Sequence, residues 1–239
     1  MIPSRTAIEF KTAIQLFTRT PRQEAAHKDL VPGARDENLT LARQLLRHAQ
    51  RVARQSGLPL HTAYRSQQRG RQFGERLANA VARCFAHGYD KLVIIGNDCP
   101  QLPAATLRAA ARDCQAHRAV LGPARDGGLY LIALHRHHFD AAAFAALDWE
   151  SPRLGANFQD YLQARDVASR QLATYRDIDD ADALHRLLTE LSECHPLYLL
   201  LQDLATPLAP SPPPARAIPL RDWGWTAIPG RAPPFLRPL

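Results

Sequence analysis

Lysine is nearly absent from this 239-residue chain: of 30 basic residues only Lys11, Lys28 and Lys91 are lysines. The lysine-rich clusters with interleaved aromatics that follow a nucleic-acid backbone are therefore missing, and no nucleic-acid partner is expected. The net charge of +7 rests almost wholly on arginine, a balance that suits phosphorylated small molecules as well as any polyanion. Cysteine is scarce and scattered (Cys84, Cys99, Cys114, Cys194), with no C-x-x-C pair. That excludes a disulfide framework and a zinc knuckle of the usual spacing, and it makes a reduced, cytoplasmic setting the expectation. No window approaches the roughly 18–20 apolar residues of a membrane span. The opening stretch "MIPSRTAIEFKTAIQLF" carries charges where a signal peptide needs an unbroken apolar run. Glycine is missing from the first part of the chain altogether, the first being Gly33.

What is present is a core-forming composition, 46% hydrophobic, enough for one α/β domain of ordinary size and an appendage. Strand-like and helix-like segments alternate. "TAIQLFT" (12–18) is a β-rich run, and 38–57 spaces Leu41, Leu45 and Val52 on one helical stripe that Gly57 ends. Residues 58–65 alternate as a strand. Residues 73–88 again form an amphipathic helix, closed by Gly88. Strands are expected at 92–96, 119–122, 129–134 and 167–173, with helices at 104–117, about 137–147, 153–166 and 181–192. This order predicts a three-layer α/β/α sandwich around a mostly parallel sheet.

From His195 the composition changes, and eleven of the 19 prolines lie in 195–239 together with Trp223 and Trp225. The expected division is a domain over 11–194 and a proline-rich, extended C-terminal extension over 195–239.

Two acidic interruptions carry the chemistry. "KLVIIGNDCPQL" (91–102) is a continuous apolar run, as a central parallel strand should be, and it halts at Asn97 and Asp98. Ligands of open α/β sheets bind beyond the carboxyl ends of strands. A carboxylate there suits a hard divalent cation, magnesium or manganese, that bridges nucleotide phosphates; the structural alternative is a cap on the helix starting near Pro103. "VLGPARDGGLYLIAL" (120–134) sets Asp126, Gly127 and Gly128 between two strands on the same expected rim. Taken alone, an ordinary D-G hairpin turn is the better account of this motif; two acidic loops at neighbouring strand ends together point to a site. In "TYRDIDDADALHRLL" (174–188), Asp180 and Asp182 suit the start of a helix. Asp177 and Asp179 are left over, and one of them is a candidate second cation ligand. Arg19, Arg22 and Lys28, after the first strand, are candidate diphosphate partners or a solvated basic loop. His135, His137 and His138 lack ligand spacing and read as surface histidines.

"VIIGNDCPQL", "VLGPARDGGLYLIAL" and "RDIDDADALHRL", in that order and spacing, resemble a bacterial family of GT-A-type, glycosyltransferase-like proteins, some members of which are associated with arsenosugar biosynthesis. More distantly they resemble the guanylyltransferases that make molybdenum-cofactor dinucleotide and activate 2-phospholactate. The resemblance covers roughly residues 11–192. It implies a GT-A-like (nucleotide-diphospho-sugar transferase) fold, with Asp98 and Asp179 as metal ligands and Asp126, Gly127 and Gly128 lining the acceptor or sugar pocket. It further implies that Gly74 and Arg76 lie near the nucleobase. The family's small hydroxyl residue is Asn97 here, its first tyrosine is Leu129 and its threonine is Asp180. Its basic-loop signature survives only as Arg19, Pro21, Lys28 and Leu30.

The reading that follows is a metal-dependent glycosyltransferase with a nucleotide-sugar donor and a small-molecule acceptor. Asp126 would be catalytic, and Arg19, Arg22, Lys28, Gly74, Arg76 and Asn97 would bind the nucleotide. Nucleotidyl transfer to a phosphorylated or cofactor acceptor is the alternative, but a triphosphate generally calls for a glycine-rich turn after the first strand. A catalytically inactive GT-A scaffold for protein interaction is the third reading.

Overall fold

The computed structural model describes residues 11–190 together with Tyr198 and Leu201. The expected extension over 195–239 lies outside the described residues, those two positions excepted. Tyr198 packs on, and Leu201 is buried in, an apolar cluster with Leu30, Leu41, Leu45, Ile178, Leu184 and Leu187.

Among the described residues six strands form one sheet in the order β2-β1-β3-β5-β4-β6. They are β1 (Thr12–Thr18), β2 (Leu60–Tyr64), β3 (Lys91–Ile95), β4 (Arg118–Pro123), β5 (Leu129–His135) and β6 (Ala168–Gln171). All neighbouring pairs are parallel except those of β5, which runs antiparallel to both β3 and β4. The carboxyl ends of β1, β2, β3, β4 and β6 thus share one rim, and the turn from β4 into β5 sits on it.

Successive side chains of a strand point to opposite faces, and the two helix layers follow from that. Leu92 and Ile94 face one way, into a core with α3 (Phe73–Ala86), α5 (Ala141–Ala145) and α6 (Leu154–Gln163). Val93 and Ile95 face the other, into a core with α2 (Arg35–Gln55) and α4 (Ala104–Asp113). All five residues of β3 are buried, which is why 92–95 is continuously apolar rather than alternating. The expected three layers are present.

Several expected boundaries move. The segment after β1, expected as a loop, holds a short helix α1 (Pro21–Ala25), started by Pro21 and by a Thr20–Gln23 capping box. The single helix expected over 137–147 is a 3-10 turn followed by α5. Asp140 caps α5 by accepting from the N–H groups of Ala142 and Ala143. His135 is a correction: it is 2% exposed at the end of β5 rather than a surface residue, and its Nδ1 accepts from His137 N–H. Among the described residues no helix is long and apolar enough to cross a membrane.

Candidate active site

The segment 177–179 explains why distant acidic residues gather. It runs past the end of β3, and Ile178 N–H donates to Asp98 O at 2.8 Å. Ile178 is fully buried among Leu30, Leu41, Leu184 and Leu187, while Asp177 and Asp179 on either side of it line a cleft with Asp98 and Asp126. One buried isoleucine therefore anchors two carboxylates at the strand rim. Asp180 supplies the helix start as expected, accepting from Ala183 N–H at 2.7 Å ahead of α7 (Ala181–Glu190).

The cleft has a volume of about 250 Å³ and lies at the carboxyl ends of β1 and β3, where open α/β sheets take ligands. Its acidic side holds Asp98, Asp126, Asp177 and Asp179. Its basic side holds Arg19, Arg65 and Arg76, and an apolar wall holds Phe17, Phe73, Leu77 and Trp149. Phe17 and Phe73 meet edge to face at 5.4 Å between centroids, with Trp149 5.9 Å beyond Phe73. Burial and the nearby charges of Arg65 and Arg19 lower the Arg76 guanidinium below its ordinary value. Asn97 is buried at the junction of β1 and β3, where Thr18 Oγ1 donates to its Oδ1 at 2.7 Å.

Lys28 occupies the centre of the acidic side. Its ammonium lies 2.5 Å from Asp98 Oδ1, 2.8 Å from Asp179 Oδ1 and 3.1 Å from Glu24 Oε1, and donates to Ile178 O at 2.9 Å. Burial opposes the charge, but Asp98, Glu24 and Asp179 together outweigh it and hold the group above the usual lysine range. The adjoining turn is fixed by Asn38, 4% exposed, whose Oδ1 accepts from Leu30 N–H and Val31 N–H. Asp177 is pushed up to about 7 by burial and by the charges of Asp98, Asp126 and Asp179; its Oδ1 is buried with no hydrogen-bond partner among the described residues.

The sequence-derived candidates separate clearly. Asp98, Asp126, Gly128, Asp179, Asn97, Arg19 and Arg76 all line the cleft. Lys28 is buried among carboxylates behind that lining, and Arg22 is exposed on α1 outside it. Gly74 is also outside. A Cβ there would lie 2.2 Å from Ala145 O and 2.6 Å from Trp149 Cδ1, so it serves the close approach of α3 to the Trp149 segment. Gly127 has φ +92°, and a Cβ on it would lie 1.8 Å from Pro152 O; it shapes the turn, while Gly128 N–H donates to Asp126 Oδ1 at 2.9 Å. D-G turn and cleft wall are thus the same element. Arg65, Glu24 and Trp149 escaped sequence reasoning because no motif surrounds them; only the alternation at Asp177 and Asp179 hinted at the fourth carboxylate.

Asp98 and Asp179 are hard carboxylate oxygen donors, the ligand chemistry that magnesium and manganese take. Asp98 and Asp179 converge on one position, and one ammonium balances less than the charge of the surrounding carboxylates. Among the described residues no three or more His, Cys, Asp or Glu side chains are arranged to enclose an ion. Such a pair suits magnesium or manganese completed by substrate phosphates and water rather than a closed structural site.

Strand order, layers and cleft define a nucleotide-diphospho-sugar transferase type of α/β fold. A candidate nucleotide-diphospho-sugar transferase from Desulfovibrio desulfuricans G20 matches at a TM-score of 0.69 and 25% identity, over 82% of this chain and 97% of that one. Rv0371c from Mycobacterium tuberculosis H37Rv, solved as a manganese complex, matches at 0.43 and 19%, over 76% and 100%. A cytidylyltransferase from Leptospira borgpetersenii matches at 0.42 and 15%, over 82% and 94%. No curated protein matches the chain. The chain belongs to the family described as "uncharacterized protein conserved in bacteria" (DUF2064), whose model matches residues 30–151.

Proposed function

We propose that this protein is a divalent-cation-dependent glycosyltransferase that takes a nucleotide-diphosphate sugar donor and a small-molecule acceptor. One observation carries the reading: Asp98 and Asp179 turn their Oδ1 atoms toward one point at the strand rim, where the Lys28 ammonium lies 2.5 and 2.8 Å from them. Magnesium or manganese held by those two carboxylates would neutralise charge on the leaving diphosphate. Arg19, Arg65 and Arg76 line the cleft on its basic side, and their forked donors suit phosphate oxygens. Phe17, Phe73 and Trp149 offer a surface on which a nucleobase stacks. Asp126, exposed on the β4–β5 turn and oriented by Gly128 N–H, is the group for the acceptor hydroxyl, orienting it or taking its proton as the bond to the anomeric carbon forms.

Sugar transfer is favoured over nucleotidyl transfer because α1 follows β1 where a glycine-rich phosphate loop would be, and the first glycine is Gly33. The test incubates the protein and manganese with nucleotide sugars, then with nucleoside triphosphates, and a pool of small-molecule acceptors that includes arsenosugar precursors. Release of a nucleoside diphosphate, lost in Asp98→Asn, is the expected result. Pyrophosphate release from a triphosphate would replace the reading with nucleotidyl transfer. No product and no nucleotide-dependent rise in melting temperature would replace it with an inactive scaffold.

A further inference from the structure

We infer that Lys28 is a built-in occupant of the cation position, so that a divalent ion binds in register with a nucleotide diphosphate and not before it. The inference rests on the reading of Asp98 and Asp179 as the ion's ligands. An ammonium has three hydrogens to donate. Lys28 Nζ already has four oxygens around it: Asp98 Oδ1, Asp179 Oδ1, Ile178 O and Glu24 Oε1, at 2.5 to 3.1 Å. No donor is left over for a phosphate.

A magnesium ion bound to both aspartates would lie roughly 2.0–2.1 Å from each oxygen, which is close to where Nζ now sits. Two positive centres cannot share that position, so ion entry requires the ammonium to leave. Lys28 can leave the aspartates without losing all compensation, because Glu24, 4% exposed and one helical turn earlier on α1, stays beside it. Its peptide neighbours do not need to move far, since Leu30 is locked in the apolar cluster and Asn38 clamps the turn. The displaced ammonium needs new acceptors, and the donor's diphosphate supplies them. Ion and diphosphate therefore each create the other's site: the ion frees the ammonium, and the phosphates receive it. Lys28 is on this account a positioning residue that couples the two ligands.

Binding of manganese alone, followed by the paramagnetic signal of the free ion, tests this. Wild type, Lys28→Met, and a charge control, Arg22→Gln, are each titrated with and without UDP, GDP, CDP and ADP in turn. Wild type is expected to bind the ion weakly alone and at least tenfold more tightly with one of the diphosphates. Lys28→Met is expected to bind the ion at least tenfold more tightly than wild type with no nucleotide present, and to gain little from adding one. Arg22→Gln, which removes one charge from the exposed face of α1 outside the cleft without vacating the position, should change binding of the ion alone less than threefold. Wild type binding manganese equally well with and without a bound diphosphate would overturn the coupling while leaving the proposed activity intact. Absence of any Asp98-dependent manganese binding in Lys28→Met, with or without nucleotide, would overturn both. Should Lys28→Met fail to fold, the wild-type comparison alone decides the coupling.

Discussion

Lys28 Nζ and Asp98 Oδ1, 70 positions apart in the chain, meet at 2.5 Å, and Asp179 closes on the same ammonium from the segment after β6. The contact joins three separate parts of the fold: the turn after α1, the end of β3 and the approach to α7. Each is held by its own apolar or polar anchor, so the charges meet without having to organise the backbone themselves.

Replacing either acidic partner should separate stability from function. Asp98→Asn weakens the pairing of a buried ammonium, and because the Asp98 side chain is 37% exposed the cost is expected at only about 1–2 kcal/mol. Asp126→Asn keeps an oxygen for Gly128 N–H and should change stability by less than about 0.5 kcal/mol, yet lower turnover at least tenfold with little change in donor binding. Urea denaturation of both variants, alongside donor-binding and turnover measurements, checks the contrast.

The β4–β5 turn should tolerate no side chain at its centre. Gly127→Ala combines a left-handed φ with a contact of 1.8 Å to the Pro152 carbonyl, so a loss above about 3 kcal/mol is expected. Gly33→Ala is the comparison: φ is +74° but nothing among the described residues lies within 4 Å of an added Cβ, and only about 1–2 kcal/mol should be lost. Thermal melting of the two variants side by side distinguishes conformational strain from the added clash.

Trp149 should serve packing and ligand together. Its Nε1 donates to Phe144 O at 2.7 Å, and its ring packs on Phe144 and Phe158 while lining the cleft. Trp149→Ala is expected to cost about 2–4 kcal/mol of stability, whereas Trp149→Phe should retain most of it. If the ring stacks on a base, Trp149→Ala should weaken nucleotide binding by roughly tenfold or more, and Trp149→Phe by much less. Calorimetric titration of the best-binding nucleotide into both variants is the check.

Acid should destabilise the protein through His135. Burial, with the positive charges of His137, His138 and Lys91 outweighing Asp90, lowers this imidazole from 6.5 to about 4. Below about pH 6.5 the unfolded chain takes up a proton that the native state refuses, so stability is full above that pH and is lost as pH falls toward 4. His135→Asn keeps an acceptor for His137 N–H and should flatten this part of the profile. Melting temperatures at intervals from pH 7.5 to 4 would show it; an unchanged slope in the variant would refute the assignment.

Much of the fold was legible because its signals are local. The alternation and continuity of apolar residues marked the strands of the sheet's core, and β1 was placed to the residue. Helix ends were less secure: α4 stops at Asp113 rather than near 117, since its last turn gives way to the tight turn leading into β4. The reversed pairing of β5 between β3 and β4 was not written in either strand, because a short D-G connection states only that two strands are antiparallel neighbours. His135 looked like one of three surface histidines; the pairing of Lys91 with His135 puts it at the covered end of β5 instead.

By itself the sequence determined the layers, the rim on which the acidic loops fall, and the alternation that separates Ile178 from Asp177 and Asp179. These depend on spacing between near neighbours, which the chain states directly. Tertiary structure alone decided that Lys28 lies between Asp98 and Asp179, that Arg65 and Trp149 complete the cleft, and that Gly74 lies against Ala145 and Trp149. Those outcomes depend on strand order and register across the sheet, and contacts between residues far apart in the chain leave no periodic trace in it.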